Sequence, residues 1–170
     1  MYIRLSFTEY TKNILENITS KASEKDPLFI SQLMPEAGLG CHDFHITLVG
    51  RLNKKQEKQL YFAMKNLCHF FRFCIMASHF KVCCNGTVKL IIRDNNAIQK
   101  IIRQIMVYIP NGNAYFHGTH ITLGVYRGKT HKEFENVLND LYDFKNPIQI
   151  KGVELDEDAS INLPGVIFQC

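Results

Sequence analysis

Apolar and polar positions alternate from the start of the chain. Ile3, Leu5 and Phe7 against Tyr2, Arg4 and Ser6 predict a strand with one buried face. Tyr10, Ile14, Leu15 and Ile18 then recur at helical spacing, which predicts an amphipathic helix. A polar connection over 20–27 and a turn-rich loop over 35–40 lead to a strand from 43 to about 51. Residues 54–71 read as a helix with Leu60, Ala63, Met64, Leu67, Phe70 and Phe71 on its buried face. Residues 73–93 read as two or three strands, with Asn85-Gly86 between apolar runs as a hairpin turn. Asp94 is the expected N-cap of a helix that turns Ile98, Ile101, Ile102, Ile105 and Tyr108 inward and stops at Pro110-Asn111-Gly112. A strand over 119–127 follows. Thr130 and Glu133 then predict a capping box for a helix with Phe134, Val137, Leu138 and Leu141 inward. Strands over 148–155 and 165–169 complete the pattern. No stretch reads as an interdomain linker, so a single α+β domain over 1–170 is expected, with antiparallel sheets.

Composition narrows the picture. The chain has 170 residues, 46% of them hydrophobic, with a formal net charge of +4. It is too apolar and too weakly charged for a disordered chain, and its apolar runs are too short for a helical membrane span. No long apolar run follows Met1, so no secretory leader is expected, and a cytoplasmic location is. The six cysteines contain no C-x-x-C pair. Cys41, His42 and His45 cluster in sequence but lack a second ligand pair at finger spacing, so reduced, mostly buried thiols are expected and no metal site. The excess of Lys and Arg over Asp and Glu, 20 to 16, fits an anionic ligand.

One feature carries chemistry. His45-Ile46-Thr47-Leu48 recurs letter for letter as His120-Ile121-Thr122-Leu123, 75 positions on, and each copy precedes an expected helix. The repeat predicts two similar lobes. Strand alternation puts His45 and Thr47 on one face opposite Phe44, Ile46 and Leu48. In the second copy it puts His120, Thr122, Gly124 and Tyr126 opposite Ile121, Leu123 and Val125. Two such faces brought together make a cleft with two imidazoles and two hydroxyls. In-line displacement at phosphorus needs a base on the entering oxygen and an acid on the leaving one, and histidine serves either role near neutral pH. Threonine hydroxyls can donate to the non-bridging oxygens. Neither motif has the neighbouring carboxylates that a magnesium site wants. His42 and His117 are expected at most on the rim of the cleft. His69, His79 and His131 are read as surface or packing residues, and Cys83-Cys84 as buried in a strand.

At these residues the chain resembles the two-histidine (2H) phosphoesterase superfamily, whose signature is a pair of H-x-[T/S] motifs. The likeness runs over nearly the whole chain, and the segment DFHITLVGRLN over 43–53 is similar to the 2′,5′-phosphodiesterase domain of an A-kinase anchoring protein. Related domains in coronaviruses, toroviruses and rotaviruses degrade 2′,5′-oligoadenylates and so keep host RNase L inactive. The resemblance implies an α+β fold of two pseudo-symmetric lobes of antiparallel sheet, with flanking helices around a central cleft. It implies His45 and His120 as the catalytic pair and Thr47 and Thr122 as the phosphate-binding hydroxyls. Tyr126, Arg127, Arg4 and Arg51 are candidate substrate contacts. Before the second motif the chain departs from the many relatives that have proline there, carrying Phe116-His117-Gly118-Thr119. The implied activity is a phosphodiesterase working without metal or cofactor on 2′,5′-linked oligoadenylate or another RNA-derived nucleotide. A role as a viral antagonist of the RNase L response goes with it; no membrane and no obligatory protein partner are implied. A 2′,3′-cyclic nucleotide phosphodiesterase, an RNA-end-processing enzyme and an inactive RNA-binding module stay open beside it.

Overall fold

The computed structural model describes residues 2–39, 43–50, 52–53, 55–56, 73–111, 113–114 and 119–156. Among these, nine strands and three helices form an α+β structure with an antiparallel sheet. The strands are β1 (Tyr2–Phe7), β2 (Phe29–Ser31), β3 (Ile46–Gly50), β4 (Cys74–Ile75), β5 (Ala77–Val82), β6 (Thr87–Ile92), β7 (Asn113–Ala114), β8 (His120–Tyr126) and β9 (Ile148–Asp156). They run β4-β9-β1-β3-β8-β6-β5 across the sheet, with β2 beside β8 and β7 beside β3. The expected helix over 54–71 lies almost wholly outside the described residues, and the expected strand over 165–169 lies outside them altogether.

Helix α1 (Glu9–Lys25) is longer than its apolar pattern suggests, taking in most of the connection expected over 20–27. Thr19 and Ala22 extend the buried stripe of Thr11, Leu15 and Ile18 at three- and four-residue steps. Tyr10 leaves that stripe and is half exposed. Helix α2 (Asn96–Tyr108) is capped by Asn95 rather than Asp94: the Asn95 Oδ1 accepts from the N–H groups of Ala97 and Ile98. Ile98, Ile101, Ile102 and Ile105 are buried as expected, but Tyr108, one step past the stripe, is exposed. Helix α3 (His131–Leu141) starts where the capping box predicts, yet the box is not made. The Thr130 hydroxyl bonds the Tyr126 hydroxyl instead, at 3.1 Å.

The β5–β6 hairpin forms at Asn85-Gly86. Gly86 takes a positive φ of 81°, its N–H donates to the Cys83 carbonyl, and its own carbonyl accepts from the Tyr126 N–H. A side chain there would run into the Tyr126 carbonyl oxygen, so glycine is required twice over. This anchoring ties the hairpin tip to the end of β8.

One pairing pattern occurs twice. On β3, Ile46, Thr47 and Val49 face Leu5, Arg4 and Ile3 of β1, with a bulge between Ile3 and Arg4 in register. On β8, Ile121, Thr122 and Gly124 face Leu90, Lys89 and Val88 of β6, with a bulge between Val88 and Lys89. The extra residue is Leu48 in one strand and Leu123 in the other, the last letter of each repeated tetrapeptide. The other edges correspond as well: Val49 begins the pairing with β7, and Gly124 the pairing with β2. The two strands meet at Ile46 opposite Ile121.

Candidate functional site

The meeting of β3 and β8 places the histidines. With Ile46 opposite Ile121 in an antiparallel pair, one step either way sets His45 across from Thr122 and Thr47 across from His120. His45 and His120 are then diagonal neighbours across that one pair. Ile46, Leu48, Ile121 and Leu123 are fully buried on the opposite face, and that apolar anchoring turns both imidazoles away from the core.

His45, His120 and Thr122 line one groove of about 470 Å³, a volume suited to a nucleotide-sized ligand. Gln32, Leu39, Cys83, Cys84, Asn85, Thr87 and Lys89 complete its lining. Thr47 lies on the His45 face of β3 but is not part of that lining. The groove thus opens toward β6 and the β5–β6 hairpin rather than toward β1.

One backbone carbonyl orients the first histidine. The Asp43 oxygen accepts from His45 Nδ1 at 3.0 Å and from Gln32 Nε2 at 2.8 Å. A carbonyl can only accept, so Nδ1 carries a proton and Nε2 is the nitrogen left to exchange one. Gln32 is buried, and its own N–H donates to the Leu123 carbonyl, so it is held by the strand that carries the second motif. The neighbourhood of one histidine is in this way braced from the strand of the other.

Compared with protein-family models and with curated proteins, the chain matches none.

The remaining sequence candidates fall elsewhere. Tyr126, expected on the His120 face, is buried in the core and stacks on Phe134, with ring centroids 4.2 Å apart. The bulge at Leu123 is the reason. It shifts the strand's alternation by one residue, so Leu123 and Gly124 are both buried, Val125 is half exposed and Tyr126 turns inward. The Tyr126 hydroxyl donates to Asp26 Oδ2 at 2.9 Å, at the end of α1, and bonds Thr130 at the start of α3. The Thr130 bond favours the phenolate, but burial and the Asp26 carboxylate outweigh it and raise the Tyr126 pKa above its ordinary value. Tyr126 is therefore a neutral structural tie between two helices. Replacing it with phenylalanine should cost about 1–2 kcal/mol, to be read from denaturant unfolding.

Arg127 extends to the Glu36 carbonyl and holds the 35–37 turn rather than the groove. Arg4 stands beside Thr47 in the register but pairs with Glu154 at 3.5 Å, and it does not line the groove. Arg51, His42, His69, His117 and the lead-in over 115–118 lie outside the described residues. His79 is exposed on β5, and His131 sits in the first turn of α3 with its ring tilted 68° to that of Tyr126. Cys83 and Cys84 are not buried in a strand. They sit at the hairpin turn, half exposed and exposed, and Cys74 is exposed too. Among the described residues no group of three His, Cys, Asp or Glu side chains could hold a metal ion, and no helix is long and apolar enough to cross a membrane.

Lys89 and Gln32 line the groove without a sequence motif that marks them. The alternation Val88-Lys89-Leu90 places Lys89 on a polar strand face, but that this face borders Thr122 is set by the pairing of β6 with β8. Gln32 carries no sequence signal at all, since its role depends on which carbonyl it reaches.

Proposed function

We propose that the protein is a phosphodiesterase of the two-histidine type that cleaves 2′,5′-linked oligoadenylate by acid–base catalysis between His45 and His120. The observation that carries this reading is the repeated register, which brings the two histidines to one groove on either side of the Ile46–Ile121 pair. On this reading the strand sets β1–β3 and β6–β8 belong to two pseudo-symmetric lobes, with the groove as the cleft between them.

The reaction uses what the groove holds. A 2′,5′ linkage leaves a 3′-hydroxyl beside the phosphorus. One histidine takes the proton of that hydroxyl on Nε2, and the freed oxygen attacks phosphorus. The bond to the 5′-oxygen of the next nucleoside breaks, and that oxygen receives a proton from the other histidine. The products are a 2′,3′-cyclic phosphate and a free 5′-hydroxyl, and a water-mediated proton exchange restores the pair. Thr122, across from His45, can donate its hydroxyl to a non-bridging oxygen as charge builds there. The step needs no Lewis acid, because two imidazoles perform both proton transfers.

The choice of a 2′,5′ linkage rests on the likeness of 43–53 to a known 2′,5′-phosphodiesterase domain, the role as antagonist of the RNase L response on the resemblance to the related viral domains, and the cytoplasmic location on the expectation of no secretory leader. The test is incubation in EDTA with 2′,5′-linked triadenylate, its 3′,5′ isomer and 2′,3′-cyclic AMP. Selective cleavage of the 2′,5′ trimer is expected. Turnover of the cyclic nucleotide alone would move the assignment to cyclic-phosphate hydrolysis. Tight RNA binding without any turnover would leave a binding module.

A further inference from the structure

The groove is electrostatically lopsided, although the strands that build it correspond. Arg4 beside Thr47 and Lys89 beside Thr122 hold equivalent places in the repeated register. One strand further out the equivalence ends in opposite charges. Arg4 faces Glu154 on β9 and forms an ion pair with it, whereas Lys89 faces Lys81 on β5. Directly opposed residues of an antiparallel pair project to the same face, so Lys89 and Lys81 leave the sheet there as cross-strand neighbours.

Among the described residues no acid pairs with Lys89 or Lys81. The nearby carboxylate of Glu135, on α3, is taken up by Lys132 and by the Val82 N–H. Lys89 itself lines the groove beside Thr122 and His120, with Asn85 and Thr87 of the hairpin beyond it. Like charges directly opposite one another destabilise a sheet, and an anion bound between them reverses that sign.

We propose that Lys89 and Lys81 form a second phosphate site, so that the groove takes an oligonucleotide with a further phosphate on the hairpin side of the scissile one. The proposal rests on the groove being a phosphodiester-binding site. Strand spacing supports the reach. Lys89 is one strand and Lys81 two strands from Thr122, the latter ~10 Å away, and each lysine stem adds reach beyond that. The Arg4 side, neutralised by Glu154, offers no such attraction, so the substrate enters with a fixed polarity.

Binding tests this without relying on turnover. The 2′,5′-linked adenylate dimer has one phosphodiester and the trimer two, both without terminal phosphates. In a His120→Ala background, which prevents cleavage during titration, the trimer should bind about tenfold more tightly than the dimer. Lys89→Ala should remove that advantage, shift dimer affinity less than twofold, and flatten the trimer's log–log salt dependence by about 0.7. Lys89→Arg should restore the trimer. A trimer that binds no better than the dimer overturns the proposal, as does an equal loss on both probes, which would place Lys89 on the scissile phosphate. Lys89-dependent trimer binding by a wild-type protein that cleaves none of the substrates would instead refute the catalytic reading and leave this one standing.

Discussion

His45→Ala and His120→Ala should each lower turnover of the 2′,5′ trimer by about 10²–10⁴-fold, the usual worth of a positioned general acid or base. The double variant should fall little further than the worse single one, because each proton transfer is useless without its counterpart. Stability should hardly change in either variant. Both side chains are half exposed on the groove face, while the packing of β3 and β8 comes from Ile46, Leu48, Ile121 and Leu123 behind them. The wild-type rate should trace a bell against pH, since one imidazole must be neutral and the other protonated. Removing either histidine should delete one limb of the bell from whatever activity persists. Quenched-flow or chromatographic assays across pH, alongside circular dichroism, read all of this. A near-normal rate in either alanine variant would end the paired-histidine mechanism.

Gly124→Ala should be strongly destabilising. Gly124 sits where β2 is laid against β8, with Ser31 as its partner. A Cβ there would run into the Ile30 carbonyl oxygen and come within 2.8 Å of the Phe29 ring. Backbone cannot yield as a flexible side-chain end can, so β2 must move off. Phe29 is buried and packs against Phe134, and Gln32 follows directly, so the displacement would spread into the core and to the Asp43 carbonyl that orients His45. The expected loss is about 3 kcal/mol, at the upper end of overpacking costs, with a fall in Tm of roughly 6–12 °C. Turnover measured well below the new Tm should fall too, through misplacement of His45. An unchanged Tm would mean that β2 and β8 are not in close contact.

Local signals were legible in the sequence where a single element decides them. The alternation of β1 as far as Leu5, the isoleucine stripe of α2 and the outward phase of both H-x-T motifs follow from side-chain periodicity, and the hairpin from the Asn85-Gly86 turn, whereas Ser6, expected on the polar face, is buried. What escaped depends on where one element meets another. Alternation carried straight through Leu123 puts Tyr126 on the groove face, and a bulge leaves no mark in a run such as Ile-Thr-Leu-Gly-Val-Tyr. Thr130 and Glu133 match a capping box, but the Tyr126 hydroxyl competes for the threonine. Cys83 and Cys84 read as strand residues, yet the turn begins at Cys83 and sets both on the groove rim. Lys89 and Gln32 act across strand pairings that no local pattern encodes.

The slipped pleat at Leu48 and Leu123 divides each strand into two independently addressable halves. On β8, His120 and Thr122 ahead of the slip face the groove, and Gly124 and Tyr126 after it are buried. Mutational tolerance along β8 should therefore switch rule in mid-strand: swaps at 120 and 122 should register in kinetics, and swaps at 124 and 126 in thermal melts. Excising Leu123 would merge the halves and turn the aromatic at 126 outward, trading a buried tie for an exposed ring.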